Sequence, residues 1–214
     1  MATTSNTTPY KTFIEYLTKN DPTLGEVIVS IDKIPSFTAN TNYYEALVSS
    51  IISQQLSVKA SATIEKRFVD LFEGSDFPTP EQILQKDIEE LRSVGLSRQK
   101  AGYIQDIAMK VLDGTVQFDH LDSLSNEEII KELTLIKGVG VWTVHMFLMF
   151  CMGRLDVLPI GDLGIRNGIQ KIYGLSAHPT PEEITALALK NGWSPYESIA
   201  SWYIWQSLNN APAI

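Results

Sequence analysis

Apolar residues recur at three- and four-residue intervals along most of this chain. Tyr44, Leu47, Val48, Ile51 and Ile52 form one such set; Ile104, Ile107, Ala108 and Val111 form a second, and Ile129, Ile130 and Leu133 a third. That spacing puts each set on one face of a helix. The starts are marked as well. Thr8-Pro9, Asp21-Pro22, Thr79-Pro80, Thr180-Pro181 and Ser194-Pro195 each pair a good N-cap with proline at the first helical position. Gln82, Glu183 and Glu197 stand at the matching capping-box positions, and Glu128 does so for Ser125. Gly95, Gly114 and Gly192 sit where helices should stop. No run alternates apolar and polar residues with β-branched enrichment, so the pattern predicts an all-α fold of about ten helices.

Composition narrows the function classes. No apolar stretch approaches the roughly 18 residues of a membrane span, and the opening MATTSNTTPY lacks the basic and apolar parts of a signal peptide, so an intracellular protein is expected, in a prokaryotic cytoplasm or nucleoid or a eukaryotic nucleus. Cys151 is the only cysteine, which excludes an intramolecular disulfide and an all-cysteine iron–sulfur site; three scattered histidines, His120, His145 and His178, argue against zinc. The formal net charge of -8 is the wrong sign for long-range attraction to nucleic acid. A protein of this charge can still hold a few phosphates through backbone amides and local Lys or Arg, with modest nonspecific affinity.

The densest local signal is LTLIKGVGVWT, residues 133–143. A helix capped by Ser125 runs into Gly138-Val139-Gly140, and a second helix begins at once with Trp142, Met146 and Met149 on one side. Two glycines allow positive φ and close backbone approach, and the amides opening the second helix suit a phosphate. A hairpin that merely packs two helices fits the same residues. Downstream, DVLPIGDLGIRNG places Asp162 at the apparent N-cap of a helix carrying Ile165, Ile169 and Ile172.

Together these segments closely resemble the hairpin and catalytic-aspartate region of the alkylpurine (3-methyladenine) branch of the helix-hairpin-helix DNA glycosylases. SIISQQLSVKA, residues 50–60, is similar to that family's minor-groove loop; LRSVGLSRQKAGYIQDIA, 91–108, to a helix pair ahead of the hairpin; WSPYESIASWYIW, 193–205, to its closing helix. The resemblance extends from about Tyr43 to Trp205, in the family's compact form without the N-terminal β-containing domain of larger relatives. It implies a two-lobed helical fold with the active site in the cleft between lobes. Residues 1–8 would be a tail and 9–214 one domain, with a central lobe at about 43–155 and a second lobe from 9–42 and 156–214.

The resemblance also assigns roles. Breaking an N-glycosidic bond builds positive charge on the sugar, so an ionised carboxylate must stand nearby, and Asp162 takes that part. Read alone, Asp162 is a helix cap worth about 1 kcal/mol. Gln55, with Leu56 beside it, aligns with the wedge that fills the stack when a nucleotide is rotated out; without the family, Gln54-Gln55 is a solvated turn. Trp142 and Trp205, with Met146, align with the base pocket, where an aromatic face attracts a cationic methylated base; by default, tryptophans on such helices are core. Lys137, Gly138, Val139, Gly140 and Thr143 would meet the DNA backbone. The carbonyls of Thr134, Ile136 and Val139 would hold a Na⁺ or K⁺ ion bridging the hairpin to a phosphate, with no other cofactor.

Relatives that also nick the strand carry a lysine two residues after the second hairpin glycine; here that residue is Trp142. The expectation is therefore a monomeric, monofunctional hydrolase that excises 3-methyladenine and 7-methylguanine from damaged double-stranded DNA. Two departures stand out: Gly161 replaces a second acidic residue of some relatives, and Met146 replaces a pocket aromatic. A non-catalytic hairpin module that binds DNA, or a glycosylase for other damaged bases, are the rival readings.

Overall fold

Side-chain oxygens open most helices of this chain. In the computed structural model, which describes residues 8–40, 42–74 and 76–208, Ser57, Ser97, Asp162 and Asn42 each accept a backbone N–H from the first turn of the helix that follows. Thr79, Asp87, Ser125 and Thr180 form full capping boxes, three of them at expected positions. One expected start is displaced. The helix after Ser194-Pro195 begins only at Glu197, because the Tyr196 amide donates to the Trp193 carbonyl at 2.7 Å and closes a separate turn first. The expected N-terminal tail lies outside the described residues save Thr8, which already belongs to the first helix.

Twelve α-helices and one 3₁₀ segment, Phe118–Ser123, make up the regular structure among the described residues, with no strand. They divide into two units. The first takes the described residues up to Ala39 and from Leu148 onward, and contains α1 (Thr8–Asn20), α2 (Pro22–Ser30), α10 (Leu163–Ile172), α11 (Pro181–Lys190) and α12 (Glu197–Ser207). The second, Asn40–Phe147, contains α3 (Tyr43–Ser53), α4 (Val58–Asp70), α5 (Pro80–Leu84), α6 (Ile88–Ser93), α7 (Arg98–Leu112) and α8 (Asn126–Leu133). α9 (Val141–Phe150) begins in the second unit and ends in the first.

In the first unit α12 packs on α1, α2 and α10 around Leu17, Leu24, Ile28, Ile165, Ile169 and Ile204, all at most 3% exposed. Burying each such side chain contributes about 1.5–3 kcal/mol. The α10–α12 approach is close because α10 carries glycine there: a Cβ on Gly168 would lie 2.4 Å from Ile204 Cγ2 and 3.0 Å from its carbonyl oxygen. Asp21 does more than cap α2. Its buried carboxylate accepts from the Leu24 amide at 3.0 Å, the Trp193 indole N–H at 2.7 Å, Asn191 Nδ2 at 2.9 Å and the Tyr173 hydroxyl, tying together the ends of α2, α10 and α11.

In the second unit α7 lies at the centre, against α3, α5 and α6. Ala101, Ile104, Ile107 and Ala108 on it are fully buried. The polar side chain Asp106, 3% exposed, sits among them. Its Oδ2 accepts from Lys110 Nζ and from the backbone N–H of Lys137, each at 2.8 Å. Its Oδ1 accepts no hydrogen bond but has the Lys137 ammonium 3.6 Å away. Burial alone would raise this carboxyl's pKa; the hydrogen bonds and the two lysine charges outweigh it and hold the group below the ordinary aspartate value.

Two measurements follow from this packing. Gly168→Ala forces a methyl against the α12 backbone and should cost about 1–3 kcal/mol in denaturant unfolding. Asp106→Asn should cost about 1–2 kcal/mol at pH 7. Because the folded carboxyl is more acidic than the unfolded one, its contribution is present above the unfolded value near about pH 4 and fades as pH falls through the folded value. The stability gap between wild type and Asp106→Asn should therefore shrink below about pH 4.

Candidate active site

The turn between α3 and α4 contains the described chain's one non-glycine residue with positive φ, Gln55 at 58°. Gln55 is exposed, and Leu56 beside it is 38% exposed. Lys100, from the first turn of α7, donates to the carbonyls of Ile52 at 2.8 Å and Gln54 at 2.6 Å, on either side of this turn's start. Burial draws the Lys100 pKa below the ordinary lysine value.

The hairpin stands next to this turn, linked by a long contact of 3.5 Å from Gln54 Nε2 to the Gly138 carbonyl. Gly138 has φ 83°, and a Cβ there would sit 2.1 Å from the ring of Tyr103, so the chain needs glycine on both counts. Gly140 differs from the expectation: its φ is not positive, and a Cβ on it would meet open space. It leaves the start of α9 unobstructed, since Val144 is the first amide to bond back, to the Gly140 carbonyl at 3.1 Å. Lys137, Gly138 and Gly140 are exposed, Thr143 is half-buried, and Val139 is only 4% exposed, so Val139 offers its main chain alone.

Along α9, Trp142 is 46% exposed, and Met146 follows one turn later, half-buried on the same face. His145 lies on that face too, and burial lowers its pKa, favouring the neutral ring. Cys151, just after α9, is buried, and its thiol is pushed up to about 12, which makes it inert.

Asp162 belongs to the first unit. It caps α10 through the Ile165 amide, 2.8 Å from Oδ1, and the same oxygen accepts the indole N–H of Trp205, also at 2.8 Å. The carboxylate is half-buried. Gly164 makes room for this arrangement: a Cβ there would be 2.9 Å from Trp205 Cδ1 and 3.0 Å from Asp162 Oδ1. The loop leading to Asp162 is fastened by buried Ser198, whose hydroxyl donates to the Arg154 carbonyl at 2.7 Å and accepts from the Val157 amide at 3.1 Å.

Trp205 departs from its expected part in the pocket wall. Only 1% exposed, with Phe150 6.2 Å away, its ring presents no face for a base to stack on; it serves Asp162 as a donor instead. Trp142 and Met146 come together on one helix, as do Gln55 and Leu56 on one turn and residues 137–140 on the hairpin. Sequence reasoning missed Lys100, Tyr103, Asp106 and Ser198. A polar row at helical spacing, Lys100-Tyr103-Asp106-Lys110, was the available signal for three of them.

Among the described residues no three of His, Cys, Asp and Glu gather as metal ligands, and no helix is long and apolar enough to cross a membrane.

Comparison with known proteins sets these residues in a family. Residues 48–195 match the model of the HhH-GPD superfamily of base excision DNA repair proteins. DNA-3-methyladenine glycosylase 1 of Schizosaccharomyces pombe is 39% identical over 165 residues, covering 77% of this chain and 72% of that protein. The crystal structure of a DNA-3-methyladenine glycosidase from Bacillus halodurans superposes with a TM-score of 0.78 at 35% identity, covering 91% of this chain and 88% of that one. A Schizosaccharomyces pombe 3-methyladenine DNA glycosylase in complex with abasic DNA gives 0.74 at 33% identity, covering 95% and 99%. With capped hairpin, left-handed turn and aspartate at the head of α10 all inside or beside the matched segment, the chain belongs to the HhH-GPD superfamily of base excision DNA repair proteins.

Proposed function

We propose that this protein removes alkylated purines, 3-methyladenine and 7-methylguanine, from double-stranded DNA by hydrolysing the N-glycosidic bond, without cutting the strand. The observation that carries the reading is the fixed carboxylate of Asp162. Its Oδ1 is held by a backbone amide and an indole N–H, both at 2.8 Å, in a half-buried position at a helix N-terminus. An anion is favoured there. It needs no reorientation to face the positive charge that develops on the sugar as the bond to the base breaks.

The remaining parts follow the same chemistry. Trp142 is 46% exposed, and an indole attracts a purine made cationic by methylation. Such a base departs as a neutral molecule, so no proton donor is required for it; water adds at the anomeric carbon and gives up a proton, leaving an abasic sugar. Gln55 and Leu56 fill the stack left by the extruded nucleotide. Lys137 and the amides around Gly138 and Gly140 take the phosphates, which lets a chain of net charge -8 bind DNA locally. The main-chain carbonyls of Thr134, Ile136 and Val139 are hard oxygen donors of the kind that suit Na⁺ or K⁺, and the Ile136 carbonyl keeps a second lone pair beyond the one used by the Val139 amide at 3.1 Å. An ion there would add positive charge at the hairpin.

Two experiments test the reading. Asp162→Asn should lower release of 3-methyladenine and 7-methylguanine from methylated DNA by at least about 100-fold, with duplex affinity changed by less than about threefold. Equal release by the variant would overturn the role of Asp162, and no release by wild type from any lesion would leave a DNA-binding module without chemistry. Borohydride reduction during turnover should trap no protein–DNA adduct, because Trp142 supplies no amine for a Schiff base; a trapped adduct would overturn the hydrolytic assignment.

A further inference from the structure

Gln55 is a residue with a Cβ held at φ 58°, a strained conformation that persists only where its surroundings impose it. Its own turn supplies a few backbone bonds, beginning with the Gln54 amide, which donates to the Ser50 carbonyl at 3.2 Å. The Leu56 amide bonds to the Ser53 carbonyl at 3.1 Å, and Ser57 is engaged in capping α4. The imposing group comes from elsewhere in the chain. Lys100 Nζ reaches the carbonyls of Ile52 at 2.8 Å and Gln54 at 2.6 Å, so a single ammonium grips the end of α3 and the peptide immediately before Gln55. Lys100 is itself fixed at its base: its backbone amide donates to the Ser97 hydroxyl at 3.2 Å, in the first turn of α7. Two turns further along, the same helix holds the hairpin through Asp106 and the Lys137 amide at 2.8 Å, with Tyr103 between them against Gly138. One rigid element thus sets the position of both the turn and the hairpin.

We propose that Lys100 is a positioning residue for base extrusion: its ammonium, clamped on the Ile52 and Gln54 carbonyls, keeps the Gln55 turn left-handed and ready to enter the stack. The inference rests on the reading of Gln55 as the group that enters DNA. It differs from ordinary capping of α3 in its consequence, because a cap alone would stabilise the fold without touching extrusion. A clamp on the turn instead removes the ordering cost that would otherwise fall at the moment of insertion.

The test is a double-mutant cycle on single-turnover excision of 7-methylguanine from a duplex, with 2-aminopurine beside the lesion to report unstacking. Lys100→Met keeps most of the unbranched side chain and removes its donors. It should slow excision roughly tenfold and flatten the 2-aminopurine signal. Lys100→Arg, which can still reach carbonyls, should restore most of both. Gln55→Ala should slow excision by itself, and adding Lys100→Met to it should cost less than about twofold more, because both act through one turn.

Additive losses in the double variant would overturn the proposal, as would a Lys100→Met protein with wild-type unstacking. Should Lys100→Met fail to fold, Lys100→Gln, which keeps one donor group, runs the same cycle. Gln55→Ala with full activity would instead strike down the reading of Gln55 and leave the clamp without a function, a result distinct from additivity.

Discussion

A buried carboxylate holds the hairpin of this protein in place. Asp106, 3% exposed on the central helix of its unit, accepts the Lys137 main-chain amide and the Lys110 ammonium and keeps the Lys137 side chain within 3.6 Å. A charge taken out of water is tolerable only when its oxygens are met. Those partners therefore fix the approach of residues 136–138 to α7. Tyr103 then stacks where Gly138 has no Cβ, and Lys100 secures the neighbouring turn. The exposed Gln55 turn and the exposed hairpin residues stand on loops, but the loops are pinned by side chains of one helix.

The other unit holds the carboxylate of Asp162 differently. Asp162 is half-buried, and Oδ1 is satisfied by neutral donors, the Ile165 amide and the Trp205 indole. These two donors fix the orientation of Oδ1 at the head of α10. Gly164 and Gly168 bring α12 close enough for Trp205 to reach it, so the two glycines of α10 serve the Asp162–Trp205 hydrogen bond as well as the packing.

Charge on the whole molecule runs against DNA binding, at -8. Net charge does not describe the hairpin, however. The hairpin offers exposed Lys137, the open side of Gly140 and the start of α9, where backbone amides supply positive potential that composition does not record.

The sequence by itself determined the helical class, most helix starts and the order of the motifs, because caps, capping boxes and apolar spacing are local codes read within four or five residues. It also marked Asp162 and the Gly138 turn, since each sits in such a local frame. It misplaced the start of α12, where a turn through Tyr196 competes with the Ser194 cap, and it allowed Gly140 a positive φ that, of the two hairpin glycines, Gly138 alone adopts. Tertiary structure alone decided that Trp205 is enclosed and bonded to Asp162, that Asp21 gathers three side-chain donors besides its own cap, and that Lys100 and Asp106 reach across more than thirty residues to hold a turn and a hairpin. The physical reason is range: a side-chain hydrogen bond between distant segments leaves no period in the sequence, and a buried charge is legible only once its partners have been folded beside it.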